Sequence, residues 1–178
     1  VYHADAGGAN KYLVLNTSAA VDTATTLFNN TVPTSSVFSV GNTNSTNGNG
    51  ISYIVYLFGN KQGVSKVGSY TGNGASSVNS GTFVYTGFKP ALVIVKNLDT
   101  EGWQIWDNKR SSYNGEGSNL SANSASAEST GVRVHFFSNG FQLVSSGADQ
   151  NSDGQNFVYM SYAQQPFVTS GGVPATAR

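Results

Sequence analysis

The feature that most constrains this chain is a stretch that occurs twice. Residues 47–58 read Asn-Gly-Asn-Gly-Ile-Ser-Tyr-Ile-Val-Tyr-Leu-Phe, and residues 153–163 read Asp-Gly-Gln-Asn-Phe-Val-Tyr-Met-Ser-Tyr-Ala. Each is a turn dipeptide running into Tyr-x-x-Tyr, and Tyr53 and Tyr56 precede Tyr159 and Tyr162 by 106 residues. A fixed internal period makes one supersecondary unit the building block of the fold. The match extends backwards. Phe38-Ser39-Val40 pairs with Phe141-Gln142-Leu143, Leu13 with Leu120, residues 16–20 with 123–127, and Tyr2 with Trp106, at separations between 103 and 107 residues. Small loop insertions produce such drift, so the chain reads as two related halves.

The remaining segments show the period of two that places alternate side chains on opposite faces of a strand. Strands are expected over residues 11–16, 37–40, 51–58, 66–70, 82–86, 91–96, 103–107, 131–136, 141–144 and, after the turn at 153–154, 155–163. The run Ala91-Leu92-Val93-Ile94-Val95-Lys96 is continuously apolar and β-branched, the pattern of a strand buried on both faces. In the next strand Trp103 and Ile105 share one face while Gln104 and Trp106 share the other. No segment carries a sustained helical period with caps. The expected fold is all-β: two related antiparallel sandwich units of jelly-roll or lectin-like type, over residues 1–66 and 67–168, with residues 169–178 as a tail or linker.

The halves are unequal. Strands around residues 83–96 precede Trp106, but nothing in the chain precedes Tyr2 in the same way, so the first unit lacks its leading strands. A half-sheet without its central strand leaves open edges that invite pairing. Preceding residues of a longer parent, or a neighbouring subunit, are expected to supply those strands. A first residue Val1 in place of an initiator Met fits a processed product or a portion of something longer.

Composition narrows the function classes. Charged residues are 10% of the 178, well under the roughly 25% of ordinary soluble domains, so Asn, Ser, Thr and Gly supply the polar surface. Nine basic and nine acidic residues cancel, which leaves no field to attract nucleic acid or an anionic membrane. The chain has no cysteine, which removes disulfides and thiolate chemistry. No apolar run approaches the roughly 20 residues of a membrane span. Neither a nucleic-acid partner nor a membrane is expected, and no cofactor.

Three constellations bear on chemistry. Asp149, Asn151 and Asp153 followed by Gly154 match the first half of a calcium loop, with oxygen ligands on alternate residues and glycine for the bend. The twelfth position is Met160, where a bidentate glutamate belongs, and the equivalent turn of the first half offers Thr43, Ser45 and Asn47, so a metal-free turn is the ordinary reading and calcium the lesser alternative. His3 and His135 stand in unlike contexts, and no G-x-S-x-G elbow accompanies them. Asp99, Glu101 and Asp107 flank Trp103 and Trp106, the one combination resembling a glycosidase subsite, though solvation of a hairpin is the ordinary reading of them. Aromatic rings stack on sugar faces while Asp and Asn bond the hydroxyls, which makes Trp103 and Asp107 the candidate glycan-binding residues. Asn16, Asn29, Asn44 and Asn119 begin N-x-[ST] sequons that this composition generates by chance.

The segments Lys11-Tyr12-Leu13-Val14-Leu15-Asn16-Thr17, Pro33-Thr34-Ser35-Ser36-Val37-Phe38, Gly68-Ser69-Tyr70-Thr71-Gly72-Asn73-Gly74, Phe83-Val84-Tyr85-Thr86-Gly87-Phe88-Lys89-Pro90 and Gly140-Phe141 resemble a repeated β-rich domain of tailed-bacteriophage virion proteins, marine phages especially. The resemblance covers almost the whole chain. It implies a lectin-like sandwich in a tail-fibre or virion-surface protein, with other virion subunits as partners, a homo-oligomer, and no catalytic residues. Members carry Phe-x-Pro-x-x-Val-x-x-Lys before each repeat, present here once, at residues 88–96. The expected function is a non-enzymatic virion component assembling through sheet edges and apolar faces. The alternatives are a module binding host surface glycan and a glycan-degrading enzyme.

Overall fold

The structure, a computed structural model, describes residues 1–111, 115 and 117–166; the tail expected over residues 169–178 lies outside them. Its regular elements are a 3-10 turn at Ala4–Ala6 and ten strands: β1 (Lys11–Tyr12), β2 (Asp22–Thr23), β3 (Ser65–Thr71), β4 (Phe83–Tyr85), β5 (Pro90–Asn97), β6 (Trp103–Asp107), β7 (Asn119–Leu120), β8 (Val134–Phe137), β9 (Gly140–Leu143) and β10 (Asn156–Ala163). All strand pairs are antiparallel, so the fold is all-β. A five-stranded sheet has the order β3-β10-β5-β6-β7, and a three-stranded sheet the order β4-β9-β8.

One core joins the two sheets as a sandwich. Val93, Val95, Trp106, Phe157 and Tyr159 enter it from the large sheet, and Val84, Val134, Phe136, Phe141 and Leu143 from the small one. These are alternate residues of their strands, as the pleat requires. The opposite face of the large sheet is covered too. Ala6 and Leu13 of the N-terminal segment pack on Trp103 and Val158, with Val21, Ile94 and Leu98 at the margin. Residues 1–24 thus form a flap, fastened by the Trp103 indole N–H donating to the Val14 carbonyl at 3.0 Å and by the Val21 N–H donating to the Leu98 carbonyl at 2.8 Å. This second cover is why β5 reads as an unbroken apolar run. The division expected between residues 66 and 67 falls inside β3, and the flap belongs with the sheet of the second half.

Turns follow from side-chain and backbone needs. β8 and β9 are joined through Ser138 and Asn139, with Phe137 opposite Gly140. Gly140 is required by crowding: a Cβ there would lie 2.2 Å from the Val84 carbonyl oxygen. The turn before β10 is held by Asn151, which is fully buried. Its amide donates to Asn73 Oδ1 at 3.1 Å and the Ala75 carbonyl at 2.9 Å, and its oxygen accepts from the Asn73 N–H at 3.2 Å and Thr82 Oγ1 at 2.8 Å.

The first half differs from expectation. Residues 37–40 and 51–58 form no strand, and between β2 and β3 the sole ladder contact is an isolated bridge from Lys61 to Ser65. The physical reason is the missing neighbours. β10, the second copy of residues 51–58, lies between β3 and β5, and among the described residues no such pair of strands lies beside residues 51–58. The turn that leads into each copy does form twice: Asn47 N–H donates to the Thr43 carbonyl at 2.8 Å, and Asn151 N–H to the Gly147 carbonyl at 2.8 Å.

Candidate interaction surface

Residues 51–58 lie extended on the surface and carry Ile51, Tyr53, Ile54, Val55, Tyr56, Leu57 and Phe58, all exposed; Ile54 reaches 82%. Among the described residues, the main chain of residues 52–58 makes no backbone hydrogen bond. The segment is anchored at its ends. Tyr53 donates its hydroxyl to the Asn44 carbonyl at 2.7 Å and accepts from the Gly48 N–H at 2.8 Å. Phe58 meets Tyr162 edge-on at 6.0 Å between ring centres. Beyond it, Ser65 Oγ bonds the Gly59 carbonyl at 2.7 Å, and Asn60 Oδ1 accepts from the Val67 N–H at 2.6 Å. No charged side chain lies within the segment. An uncharged, apolar, extended segment with an unpaired backbone lacks the charges and prolines by which proteins blunt a sheet edge, and an exposed apolar stretch of this size is a candidate contact surface.

The family model described as a domain of unknown function, DUF7483, matches residues 1–166. The chain belongs to that family. No curated protein and no solved structure matches it.

In this DUF7483 domain the residues singled out by sequence fall in separate places. Trp103 is 7% exposed, with its ring under the flap and its N–H on Val14, so it offers no face to a sugar. Asp107 lies at the far end of β6, about 13 Å along the strand. It accepts from Arg110 Nε at 2.5 Å and from the Lys109 and Arg110 N–H groups at 2.9 and 3.1 Å. Partial burial pushes its pKa up, but the Arg110 and backbone bonds outweigh it and hold the carboxyl below its usual range. Arg110 in turn reaches Glu128 at 3.0 Å. Asp99 and Glu101 belong to the turn at the other end of β6, so the three carboxylates of the supposed subsite are not brought together.

The calcium pattern is likewise dispersed. Asn151 spends both sides of its amide on protein partners, Asp149 faces Arg133 at 3.6 Å, and Asp153 points to solvent. Among the described residues no three His, Asp or Glu side chains converge as a metal site. His135 lies on the outer face of the small sheet beside Phe137, ring centres 6.2 Å apart. His3 is in the flap: its Nδ1 accepts from the Asp5 N–H at 3.1 Å, which leaves Nε2 to donate to the Tyr159 carbonyl at 3.3 Å. Burial lowers its pKa, against smaller raising effects of the Tyr159 carbonyl and Asp5.

Two features escaped the sequence. Lys96 is fully buried beside Trp103 and Val158, with Nζ donating to the carbonyls of Asn97 at 2.5 Å and Asp99 at 3.0 Å. Burial pulls its pKa down to about 8, against the opposing pull of Glu101 and Asp99. Its place at the end of an apolar run was the available signal. The outer face of the small sheet carries a second exposed group: Tyr85, Gly140 and Phe137 on one rung, Phe83, Gln142 and His135 on the next. Phe83 and Phe137 approach to 6.1 Å across the glycine. The alternation in residues 83–85 and 134–137 contained this face.

Proposed function

We propose that this DUF7483 domain is a non-enzymatic structural module of a tailed-bacteriophage virion, in a tail fibre or on the particle surface, that assembles with like subunits by adding a strand to a sheet. The observation that carries the assembly reading is the stretch 52–58, apolar, exposed and without a backbone hydrogen bond. Strand addition satisfies such a backbone at about 1 kcal/mol per hydrogen bond while burying the side chains alternately. The virion setting is supported by the sequence resemblance alone. Sedimentation velocity at rising concentration tests the assembly. The chain is expected to associate, and Val55→Pro, which removes an amide that the folded monomer does not use, to remain monomeric. A wild-type chain that stays monomeric throughout argues against it.

A glycan-binding reading survives in altered form. Phe83, Tyr85 and Phe137 are exposed on one sheet face, with Gln142 and His135 beside them, whereas Trp103 is covered. Glycan-array binding lost on Phe83→Ala and Tyr85→Ala but kept in Trp103→Phe supports it. No binding by the wild type counts against it.

A further inference from the structure

We infer that residues 51–58 form the vacant central strand of a second sandwich, and that their partner is a further copy of this fold's own β3–β6 half, carrying the Gly-Ser-Tyr-Thr and Phe-x-Pro-x-x-Val-x-x-Lys patterns. The inference rests on the assembly reading above and narrows its occupant: because β3 and β5 of this chain already flank β10, the strands that pair with residues 51–58 belong to an additional copy of that half.

The two copies differ in what lies beside them. β10 pairs Tyr159 with Gly68 on one side and Val95 on the other. Shifted by the repeat, the same pairing sets Tyr53 between a glycine and a valine of the incoming strands. The glycine makes room for the tyrosine, since a Cβ at Gly68 would lie 2.9 Å from the Tyr159 hydroxyl and force the ring to shift. Burial tells the same story. Phe141 and Leu143 are fully buried and Tyr159 is 4% exposed, whereas Phe38, Val40 and Tyr53 are 40%, 38% and 38% exposed. Core residue types thus stand at positions where the described residues provide no core. In the second copy, Tyr70 of β3 holds a carbonyl of the turn, that of Gln150, at 2.5 Å. Among the described residues no strand occupies that place beside the first copy, and Tyr53 bonds a carbonyl of the corresponding turn, that of Asn44, from within its own segment. A strand whose aromatic fills in for an absent neighbour is poised to exchange that contact for the neighbour itself.

The other candidates are weaker. The exposed aromatic face of β4 and β8 has nothing to say what covers it. The buried unpaired Trp106 Nε1, Asn119 Oδ1 and Ser161 Oγ lie on one rung of the large sheet, without an opening to a ligand.

The test extends the full chain by a copy of its own residues 59–104 placed directly before Val1, the join that the Tyr2–Trp106 correspondence dictates. Hydrogen exchange of residues 52–58 is then compared with the unextended chain. Protection is expected to rise by at least about 100-fold, the behaviour of a strand paired on both sides. Gly68→Val made in the added copy alone is expected to abolish it. A soluble extended chain with unprotected residues 52–58, or protection that survives that variant, overturns the inference. A second readout covers a partly folded product. Because the chain has no cysteine, Val55→Cys combined with Val93→Cys in the added copy must cross-link in this register. Cross-linking no faster than with Val55→Cys and Lys89→Cys in the added copy also overturns it. Failure here with concentration-dependent association of the unextended chain intact leaves assembly standing and removes only this occupant.

Discussion

Tyr70 on β3 donates its hydroxyl to the main-chain carbonyl of Gln150 at 2.5 Å, which ties the edge strand to the turn ahead of β10. The ring itself stacks on Phe157 with centres 5.0 Å apart. Tyr70→Phe keeps the ring and strands a carbonyl beside the fully buried Gln150, so it is expected to cost about 1–3 kcal/mol. Tyr53→Phe frees the carbonyl of the exposed Asn44 and the N–H of the buried Gly48, in a turn at the surface, and is expected to cost less, about 0.5–1.5 kcal/mol. Denaturant unfolding of both variants measures the difference.

The same asymmetry extends to apolar truncation. Phe141→Ala opens a cavity between the two sheets and is expected to destabilise by about 3–5 kcal/mol. Phe38→Ala, its counterpart in the repeat, removes a ring that is 40% exposed and is expected to cost less than about 1 kcal/mol. Equal costs would mean that the first copy has a packed core of its own. Urea midpoints at constant slope decide it.

Lys96 gives a pH signature. Its folded pKa, pulled down to about 8 by burial, lies below the unfolded value near 10.4, so between those values the unfolded chain binds more protons. Stability therefore rises with pH in that window. The gain from pH 7.5 to 9.5 is about 2 kcal/mol. Tyr159, pushed up to about 12 chiefly by burial, opposes this only above about pH 10, where the unfolded phenol begins to ionise. Lys96→Met is expected to flatten the rise, and chemical denaturation at several pH values reads it out.

His3 predicts the opposite limb. Burial holds the imidazole neutral, and protonating Nδ1 would break its bond from the Asp5 N–H. The unfolded histidine protonates near pH 6.5, so stability contributed by the neutral ring falls as pH drops below that value. The flap is expected to loosen there and uncover Trp103. A red shift of Trp103 fluorescence in a Trp106→Phe background, absent in His3→Gln, checks it.

Much of the architecture is legible in the sequence, and the failures have a common cause. β4, β6 and β8 follow from period-two alternation, β10 from the repeated Tyr-x-x-Tyr stretch, and β5 with its two-sided burial from its unbroken apolar run. The faces of β6 are also legible: Trp106 goes to the inter-sheet core and Trp103 to the other side. What alternation cannot tell is what covers a face. Trp103 looks like a sugar platform until residues 1–24 fold over it, and Lys96 looks like the exposed end of a strand until the turn at Asn97 and Asp99 supplies its carbonyls. Asn151 shows the same limit: its spacing in Asp149-Gln150-Asn151-Ser152-Asp153-Gly154 suits an ion, but Asn73, Ala75 and Thr82, distant in sequence, use its amide. Residues 51–58 are the extreme case, since their pattern specifies a buried strand whose neighbours appear only in the other half.

The central claim is that residues 52–58 are a strand awaiting a partner. Hydrogen exchange of that peptide across a concentration series tests it most directly. The account expects near-random-coil exchange in dilute solution and slowing in step with association, while β10 stays protected throughout. Strong protection of residues 52–58 in the dilute monomer, or association that leaves them unprotected, would contradict it.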